Sequence, residues 1–208
     1  MLRRFSLIAS FLLITGVTAA PFAAAAPDAR SFIQTLGNQA LAVIRSNSAP
    51  AEKAAYFHQA LHEDFDLPAI SRFVLGPYWR TATEPERQQF QALLEDYLVR
   101  FYGQRFAEYK GESLQMTGGR PIPGGEIVTS RIIRPQGPAI EVDWRLREQD
   151  GVYKISDVTV DGVSMALTHR AEFTALIQRS GGQMAGLLGA MRAQTAEGLG
   201  TSTPPVAR

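Results

Sequence analysis

The chain has 208 residues, no cysteine and almost balanced charge. A cysteine nucleophile is therefore excluded, and the core must hold together without disulfides. The formal net charge is +1; without Arg3 and Arg4, 19 of the 21 basic residues face 20 acidic ones, and the net charge is −1. Binding to nucleic acid would require a clustered basic face, which this balance does not suggest.

Common catalytic and cofactor motifs are also missing from the sequence. It contains no Gly-rich phosphate loop, no GxSxG, no HExxH and no CxxC. Each of these motifs places a specific group, such as a backbone N–H cradle or a pair of metal ligands, where its chemistry requires it. No cofactor is predicted for this chain.

Residues 1–25 are predicted to be a cleaved signal peptide. Arg3 and Arg4 precede an apolar run from Phe5 to Val17, and a stretch rich in small residues follows, with cleavage expected between Ala23 and Ala26. An uncleaved membrane anchor is the alternative, but the run is shorter than the roughly 20 residues that a spanning helix needs. The rest of the chain is predicted to form one domain, 26–194, followed by a disordered tail rich in Pro, Gly and Thr, 195–208.

The first half of the domain has apolar residues at helical spacing. Asp66 is placed to cap a short helix that Gly76 ends, and Thr83 with Glu86 forms a capping box in front of a long helix. That helix carries a wide aromatic stripe, for which ordinary core packing is the simplest interpretation. The predicted helices are 31–46, 51–64, a short one after Asp66, and 83–109.

After Gly111 the apolar period changes from about 3.6 to 2, which predicts strands. The clearest alternation places Ile140, Val142, Trp144 and Leu146 on one face. One covered and one solvated face is typical of an antiparallel sheet, so the predicted fold class is α+β, a curved antiparallel sheet covered by several helices. The predicted strands are 112–117, 126–134, 140–148 and 152–160, followed by helices 168–179 and 183–192.

Two histidines have the spacing of metal ligands. His58 and His62 lie four residues apart on one predicted helix, next to two acidic residues. However, the third histidine, His169, is over 100 positions away, and no carboxylate pattern completes a ligand set. A solvated helix face is the default interpretation, and no metal site is predicted.

The sequence gives only weak evidence for a catalytic site. Ser164, His169 and Asp157 could form a triad on paper, but no nucleophile elbow surrounds Ser164. Asp157 and Asp161 on a strand would be about 13 Å apart, too far for a retaining glycosidase. No catalytic residue is assigned. An apolar ligand between sheet and helices and a simple filled core both remain compatible with these residues.

Three stretches carry a resemblance to a known family. They are FVLGPYWRTATEPERQQFQALLEDYLVRFYG, VTSRIIRPQGPAIEVDWRLRE and GVYKISDVTVDGVSMALTHRAEF. Together they resemble the periplasmic phospholipid-shuttle proteins of the Mla, or toluene-tolerance, system, from about Ser31 to Arg192. In two places the sequence departs from the family pattern: His169 stands where an aromatic is often found, and the tail has no lysine cluster.

The resemblance implies a lipid carrier rather than an enzyme. Its fold would enclose an apolar lipid cavity between sheet and helices, holding acyl chains inside and the headgroup near the mouth. The implied partners are phospholipid, an inner-membrane complex of an MCE-domain protein with an ABC transporter, and an outer-membrane lipoprotein complex. The implied role is the maintenance of outer-membrane lipid asymmetry from the periplasm, with lipid as cargo.

With the resemblance and the inward-facing pattern taken together, nine residues are predicted to contact lipid and two to lie at the mouth. The predicted lipid contacts are Trp79, Tyr97, Phe101, Val142, Trp144, Val158, Val163, Met165 and Phe173, and the predicted mouth residues are Arg80 and Arg170.

Three alternatives stay open at this level. A branch of the family accompanies hopanoid biosynthesis, so the cargo could be a hopanoid or another polycyclic lipid. A small cone-shaped isomerase or dehydratase would use Asp157 and His169 as acid and base. A protein-binding module with a filled core is the third alternative.

Overall fold

The computed structural model describes residues 28–106, 109 and 111–196. The predicted signal peptide lies outside these residues, and so does the predicted tail beyond residue 196. The domain boundaries at both ends therefore remain predictions.

The first two helices were both predicted. Helix α1, Ala29–Arg45, begins at Asp28, whose carboxylate accepts the backbone N–H of Ser31 at 2.8 Å. This hydrogen bond stabilises the charged carboxylate and lowers the pKa of Asp28. Helix α2, Pro50–Asp64, begins with proline, whose missing N–H costs nothing in the first turn.

A short helix and a sharp break follow. Helix α3, Leu67–Leu75, is capped by Asp66, which accepts the N–H of Ala69 at 3.0 Å. Gly76 ends it with φ of +54°, a conformation that glycine adopts without strain. The structure adds a single helical turn that was not predicted, α4, Tyr78–Thr81.

The predicted capping box starts the long helix α5, Glu84–Phe106. The Thr83 N–H donates to Glu86 Oε2 at 2.8 Å, and the Glu86 N–H donates to Thr83 Oγ1 at 3.4 Å. Two N–H groups that the helix itself leaves without partners are thus satisfied reciprocally.

Five antiparallel strands form one open sheet in chain order. Consecutive strands that pair antiparallel need only short turns between them, and the connections that contain glycine supply these turns. The strands are β1, Ser113–Ile122; β2, Gly125–Ile133; β3, Ile140–Gln149; β4, Val152–Val160; and β5, Val163–Ser164.

The predicted end of the first strand at Thr117 was wrong. Strand β1 continues to Ile122 because its register shifts between Met116 and Gly118, so that the glycines lie within the strand. The turn comes later, where Gly124 has φ of +74°. The two-residue strand β5 was also missed, since so short a strand has no alternation to detect.

The last two helices are α6, Met165–Arg179, and α7, Met184–Ala196. The predicted start of α6 at Thr168 was three residues late. Ser164 caps the helix by accepting the N–H of Leu167 at 3.1 Å, and Asp157 accepts the N–H of Ala166 at 3.0 Å. The second of these caps comes from β4, so local sequence could not reveal it.

The alternation in β3 is confirmed. Val142 and Leu146 are buried and Trp144 is half-buried, whereas Arg145 and Arg147 are exposed. Helix α1 covers this inner face over β1 and β2, while α3 and α6 contact it at β4. Within the described residues, no helix combines the length and the apolar character needed to cross a membrane.

Buried apolar residues form two separate clusters. The helical cluster joins α3, α5, α6 and α7, and the sheet cluster joins α1 to the inner face of the sheet. The buried members of the helical cluster are Val74, Leu75, Ala82, Phe90, Leu94, Tyr97, Leu98, Ala166, Phe173, Ile177, Met184, Leu187, Leu188 and Met191. Those of the sheet cluster are Ala29, Ile33, Met116, Val128, Leu146 and Ile155. The predicted α+β class is confirmed.

Replacing Thr83 by alanine should lower the free energy of unfolding by about 1 kcal/mol, because the hydroxyl of the capping box is lost. Urea unfolding at neutral pH measures this difference. Hydrogen bonds from Thr83 lower the pKa of Glu86 below 4.5, so their contribution is present above that value and is lost as pH falls through the lowered pKa. The difference between the two proteins should therefore shrink in acid; an unchanged difference would contradict this account.

Candidate functional site

Three predicted lipid residues on the helical side pack around one histidine. The rings of Tyr97, Phe101 and Phe173 have centroids 5.6, 5.3 and 5.7 Å from that of His169. The His169 ring lies stacked on Phe173, at an interplanar angle of 20°. His169 thus packs among these aromatic rings as a planar side chain.

His169 is also the centre of a buried hydrogen-bond network. It is 4% exposed, with Nε2 3.0 Å from the Tyr102 hydroxyl and Nδ1 3.2 Å from Glu172 Oε2. A carboxylate can only accept, so Nδ1 donates to Glu172, and Nε2 forms a second hydrogen bond with the Tyr102 hydroxyl. The Tyr97 hydroxyl donates to the same Glu172 oxygen at 3.5 Å. The polar edge of the imidazole is therefore satisfied inside an apolar cluster.

The predicted lipid residues of the sheet lie on its inner face. Trp144 pairs with Val158 across β3 and β4, and both pack against the sheet cluster. The Trp144 indole donates to Ser130 Oγ at 2.9 Å, and Ser130 in turn donates to the Val142 carbonyl at 3.4 Å. Val142 is 2% exposed. Six of the nine predicted lipid contacts are therefore divided between the two apolar clusters, and Val142, Val163 and Met165 belong to neither.

Exposed apolar side chains form a rim on β5, the first turn of α6 and the end of α3, and α6 packs against both of the other elements. Val163, Leu167 and Phe73 are 46%, 57% and 40% exposed. Met165, the first residue of α6, is half-buried. The Arg170 guanidinium carbon is 5.2 Å from the centre of the Phe73 ring, within the range of a cation–π contact. Large exposed apolar side chains close together are typical of binding surfaces.

Trp79 and Arg80 lie on α4, at the break in the helices. Trp79 is half-buried against the helical cluster, with the guanidinium carbons of Arg72 and Arg87 5.8 and 5.3 Å from its ring. Arg87 Nε also donates to the Trp79 carbonyl at 2.9 Å. Arg80 is exposed, and in the described part of the chain its side chain forms no ion pair. Trp79 thus fills the wedge between α3 and α5.

The possible catalytic triad does not form. Ser164 donates to Asp157 Oδ2 at 2.6 Å, but both side chains are engaged in capping α6. His169 has its two nitrogens on Tyr102 and Glu172 instead. The pairing of Asp157 with His169 that an isomerase would need has no support in these contacts.

The two candidate metal ligands pair with different carboxylates on α5. His58 Nε2 is 3.3 Å from Asp96, and His62 Nδ1 is 3.6 Å from Glu95. Across the residues that the structure describes, no group of three or more His, Cys, Asp or Glu could hold a metal ion. The ordinary interpretation of a solvated helix face fits both histidines.

Two small pockets open at the surface away from the predicted lipid residues. One of about 140 Å³ is lined by Phe32, Thr35, Leu36, Gln39 and Asp64. Burial raises the pKa of Asp64 in that pocket. The other, of about 260 Å³, lies between the start of α5 and the start of α7. Both are smaller than the roughly 300–1,000 Å³ of typical ligand pockets.

Comparison with known proteins identifies the family. The family model described as MlaC protein matches residues 34–193. The toluene tolerance protein Ttg2D of Pseudomonas putida is 26% identical over 121 residues, covering 57% of this chain and 56% of that protein. The intermembrane phospholipid transport system binding protein MlaC of Haemophilus influenzae is 22% identical over 113 residues, covering 52% and 53%. The chain thus spans about half the length of these relatives.

A solved structure shares the fold. The phospholipid-binding protein of Ralstonia solanacearum, solved in complex with a phospholipid, aligns with a TM-score of 0.71 at 20% identity, covering 82% of this chain and 98% of that one. The family model spans most of α1 to α7, so the sequence match covers nearly the whole of the shared fold. The chain belongs to the MlaC family, as the three sequence stretches indicated. The prediction that it is not an enzyme is confirmed by this membership.

Several residues of this region could not be recognised from the sequence. Tyr102 was indistinguishable from the other aromatics of the α5 stripe, and Glu172 looked like an exposed acid on α6. Ser130 gave no signal, because a serine in a strand is ordinary until the indole that donates to it is located. Leu167, two residues before His169, was also missed, but the sequence does contain a signal for it. It is an apolar residue outside the buried stripe of α6.

Replacing Tyr102 by phenylalanine should lower the free energy of unfolding by about 1–3 kcal/mol, because Nε2 of buried His169 loses its hydrogen-bond partner. In the His169→Phe background, where that nitrogen is gone, the same replacement should cost clearly less. A double-mutant cycle by urea unfolding measures the coupling. Additive effects of the two changes would show that the contact between Tyr102 and His169 contributes no coupling free energy.

Proposed function

We propose that the protein is a periplasmic phospholipid carrier. Membership of the MlaC family supports this, and the Ralstonia relative of the same fold holds a phospholipid. The predicted signal peptide agrees with a periplasmic location. The single observation that carries the proposal is the family match over residues 34–193, which includes every predicted lipid and mouth residue.

The acyl chains would lie between the helical and the sheet clusters. Tyr97, Phe101 and Phe173 belong to the first, while Trp144 and Val158 pack against the second. The helices of the helical cluster meet the sheet chiefly through α3 and α6 at β4. If the two clusters separate and acyl chains insert between them, apolar surface stays in contact with apolar surface. The free-energy cost of this exchange is therefore small.

A carrier is physically necessary for lipid to cross an aqueous gap. Each CH₂ moved into water costs about 0.8 kcal/mol. A single chain of about 16 carbons therefore costs on the order of 12 kcal/mol, so free diffusion of a two-chain lipid is negligible. Enclosing the chains in apolar surroundings removes most of this cost, and no chemical step is needed.

The headgroup would remain at the exposed rim. Val163, Leu167 and Phe73 provide apolar surface there, and Arg170 provides a positive charge. Arg80, exposed at the nearby break, is a second candidate for contact with the phosphate. Lipid would enter and leave at this rim.

Transport requires a donor and an acceptor. We propose that the protein exchanges lipid with an inner-membrane complex of an MCE-domain protein and an ABC transporter, and with an outer-membrane lipoprotein complex. The name of the Haemophilus relative, a binding protein of an intermembrane phospholipid transport system, supports this role. Energy would come from the transporter, because this chain has no nucleotide-binding motif.

Native mass spectrometry of the mature protein, purified without detergent, tests the proposal. We expect a mass increment of one diacyl phospholipid, identified after solvent extraction. A polycyclic adduct would instead assign the cargo to the hopanoid class. If the protein carries no lipid and also fails to take up added phospholipid, the carrier proposal is refuted and a filled-core binding module is favoured.

Val163→Glu should abolish phospholipid uptake while the fold survives, because it places a charge at the apolar rim on a side chain that is 46% exposed. Val152→Glu is the matched control: Val152 is 54% exposed at the start of β4, near the turn that joins it to β3. Lipid content by mass spectrometry and melting temperature are measured for both. Equal lipid content in the two variants would show that the rim has been assigned wrongly.

A further inference from the structure

Ser71 is a buried hydroxyl without a partner. Its residue is 0% exposed on α3, and among the described residues its Oγ finds no hydrogen-bond acceptor or donor. A buried polar atom left unpaired lowers stability, so such atoms are rare in folded proteins and call for an explanation.

Other buried polar side chains of the same domain show the contrast. Ser130 is equally buried, yet it accepts from Trp144 and donates to the carbonyl of Val142. His169 has a partner at each nitrogen. The unpaired hydroxyl of Ser71 is therefore not a general feature of this core.

The neighbouring helix carries a second donor without an acceptor. Arg170 on α6 lies against the end of α3: its guanidinium is over Phe73, and a Cβ added to Gly76 would be 2.9 Å from Nη2. Within the described structure, no carboxylate or carbonyl accepts from this guanidinium. The packed pair of α3 and α6 thus presents two donors, one neutral and one charged, and no acceptor for either.

The depth of these groups follows a definite order. Phe73, Leu167 and half-buried Arg170 lie at the surface. Ser71 lies on the buried side of α3, one turn from Leu75, which belongs to the helical cluster. The cation therefore lies near the surface, and the hydroxyl is buried beside the apolar cluster. A glycerophospholipid has a similar arrangement, with an anionic phosphate at one end and ester carbonyls beside the acyl chains.

We propose that Ser71 is a specificity residue that donates its hydroxyl to an ester carbonyl of the bound lipid, while Arg170 pairs with the phosphate. This inference rests on the proposed carrier function and narrows its cargo. Ester carbonyls are good hydrogen-bond acceptors, whereas ether-linked chains have no carbonyl. A polycyclic hydrocarbon has neither a carbonyl nor a phosphate. The protein therefore selects ester-linked glycerophospholipids.

The test compares two lipids that differ only at the linkage. Delipidated wild-type protein is titrated with diacyl and with dialkyl-ether phosphatidylglycerol of equal chain length. We expect the ester lipid to bind about five- to tenfold more tightly, the usual effect of one neutral hydrogen bond. Equal affinities would overturn the inference while leaving the carrier function intact; failure to bind either lipid would overturn the carrier function itself.

Ser71→Ala supplies the matching variant. It should lose the preference, binding the ester lipid about as weakly as the ether lipid, while its affinity for the ether lipid stays at the wild-type value. Without lipid its melting temperature should be equal to or above that of wild type, because an unpaired hydroxyl has been removed. A lower melting temperature, or equal weakening for both lipids, would show that Ser71 acts only through packing.

Arg170→Gln tests the charged donor separately. It should weaken binding of phosphatidylglycerol but leave binding of a neutral diacylglycerol of the same chains unchanged. Arg179→Gln, at the exposed end of the same helix, is the control and should affect neither lipid. Weakening of both lipids by Arg170→Gln would contradict a phosphate contact.

Discussion

The structure depends on the limited contact between its two apolar clusters. The sheet cluster is closed by α1, whereas the helical cluster is completed by α3, α5, α6 and α7. The two meet chiefly at β4, which also supplies Asp157 as a cap for α6. In this arrangement, each cluster has its own buried residues, and under the proposed function the cargo would replace the contact between them.

Much of the fold could be predicted from local chemistry. Asp66, Gly76 and the box of Thr83 with Glu86 set helix ends through hydrogen bonds within a few residues, and alternation in β3 identified the buried face. The errors came from long-range interactions. The start of α6 needs Asp157 from another element, and the length of β1 needs the paired strand β2, which carries the chain past two glycines.

The candidate site was harder to predict from the sequence. An alternating or helical pattern shows that a side chain faces inward, but it does not show which cluster the side chain joins. Tyr97 and Trp144 both looked like pocket residues, yet they lie in different clusters. His169 looked like a departure from the family pattern, whereas the structure gives it aromatic stacking and two hydrogen bonds. Ser71 was invisible, since its distinguishing property is a missing partner, which only packing can reveal.

The division into two clusters also has a consequence for cooperativity. Units that share little buried surface can open separately, so amide hydrogens in α6 should exchange by local openings well below the cost of global unfolding. A ligand that contacts both units couples their opening, because local unfolding of either unit then also breaks contacts with the ligand. Without lipid, the protein would behave as two weakly coupled foldons, and with lipid bound it would behave as one. The cargo would then complete a core that the two clusters share.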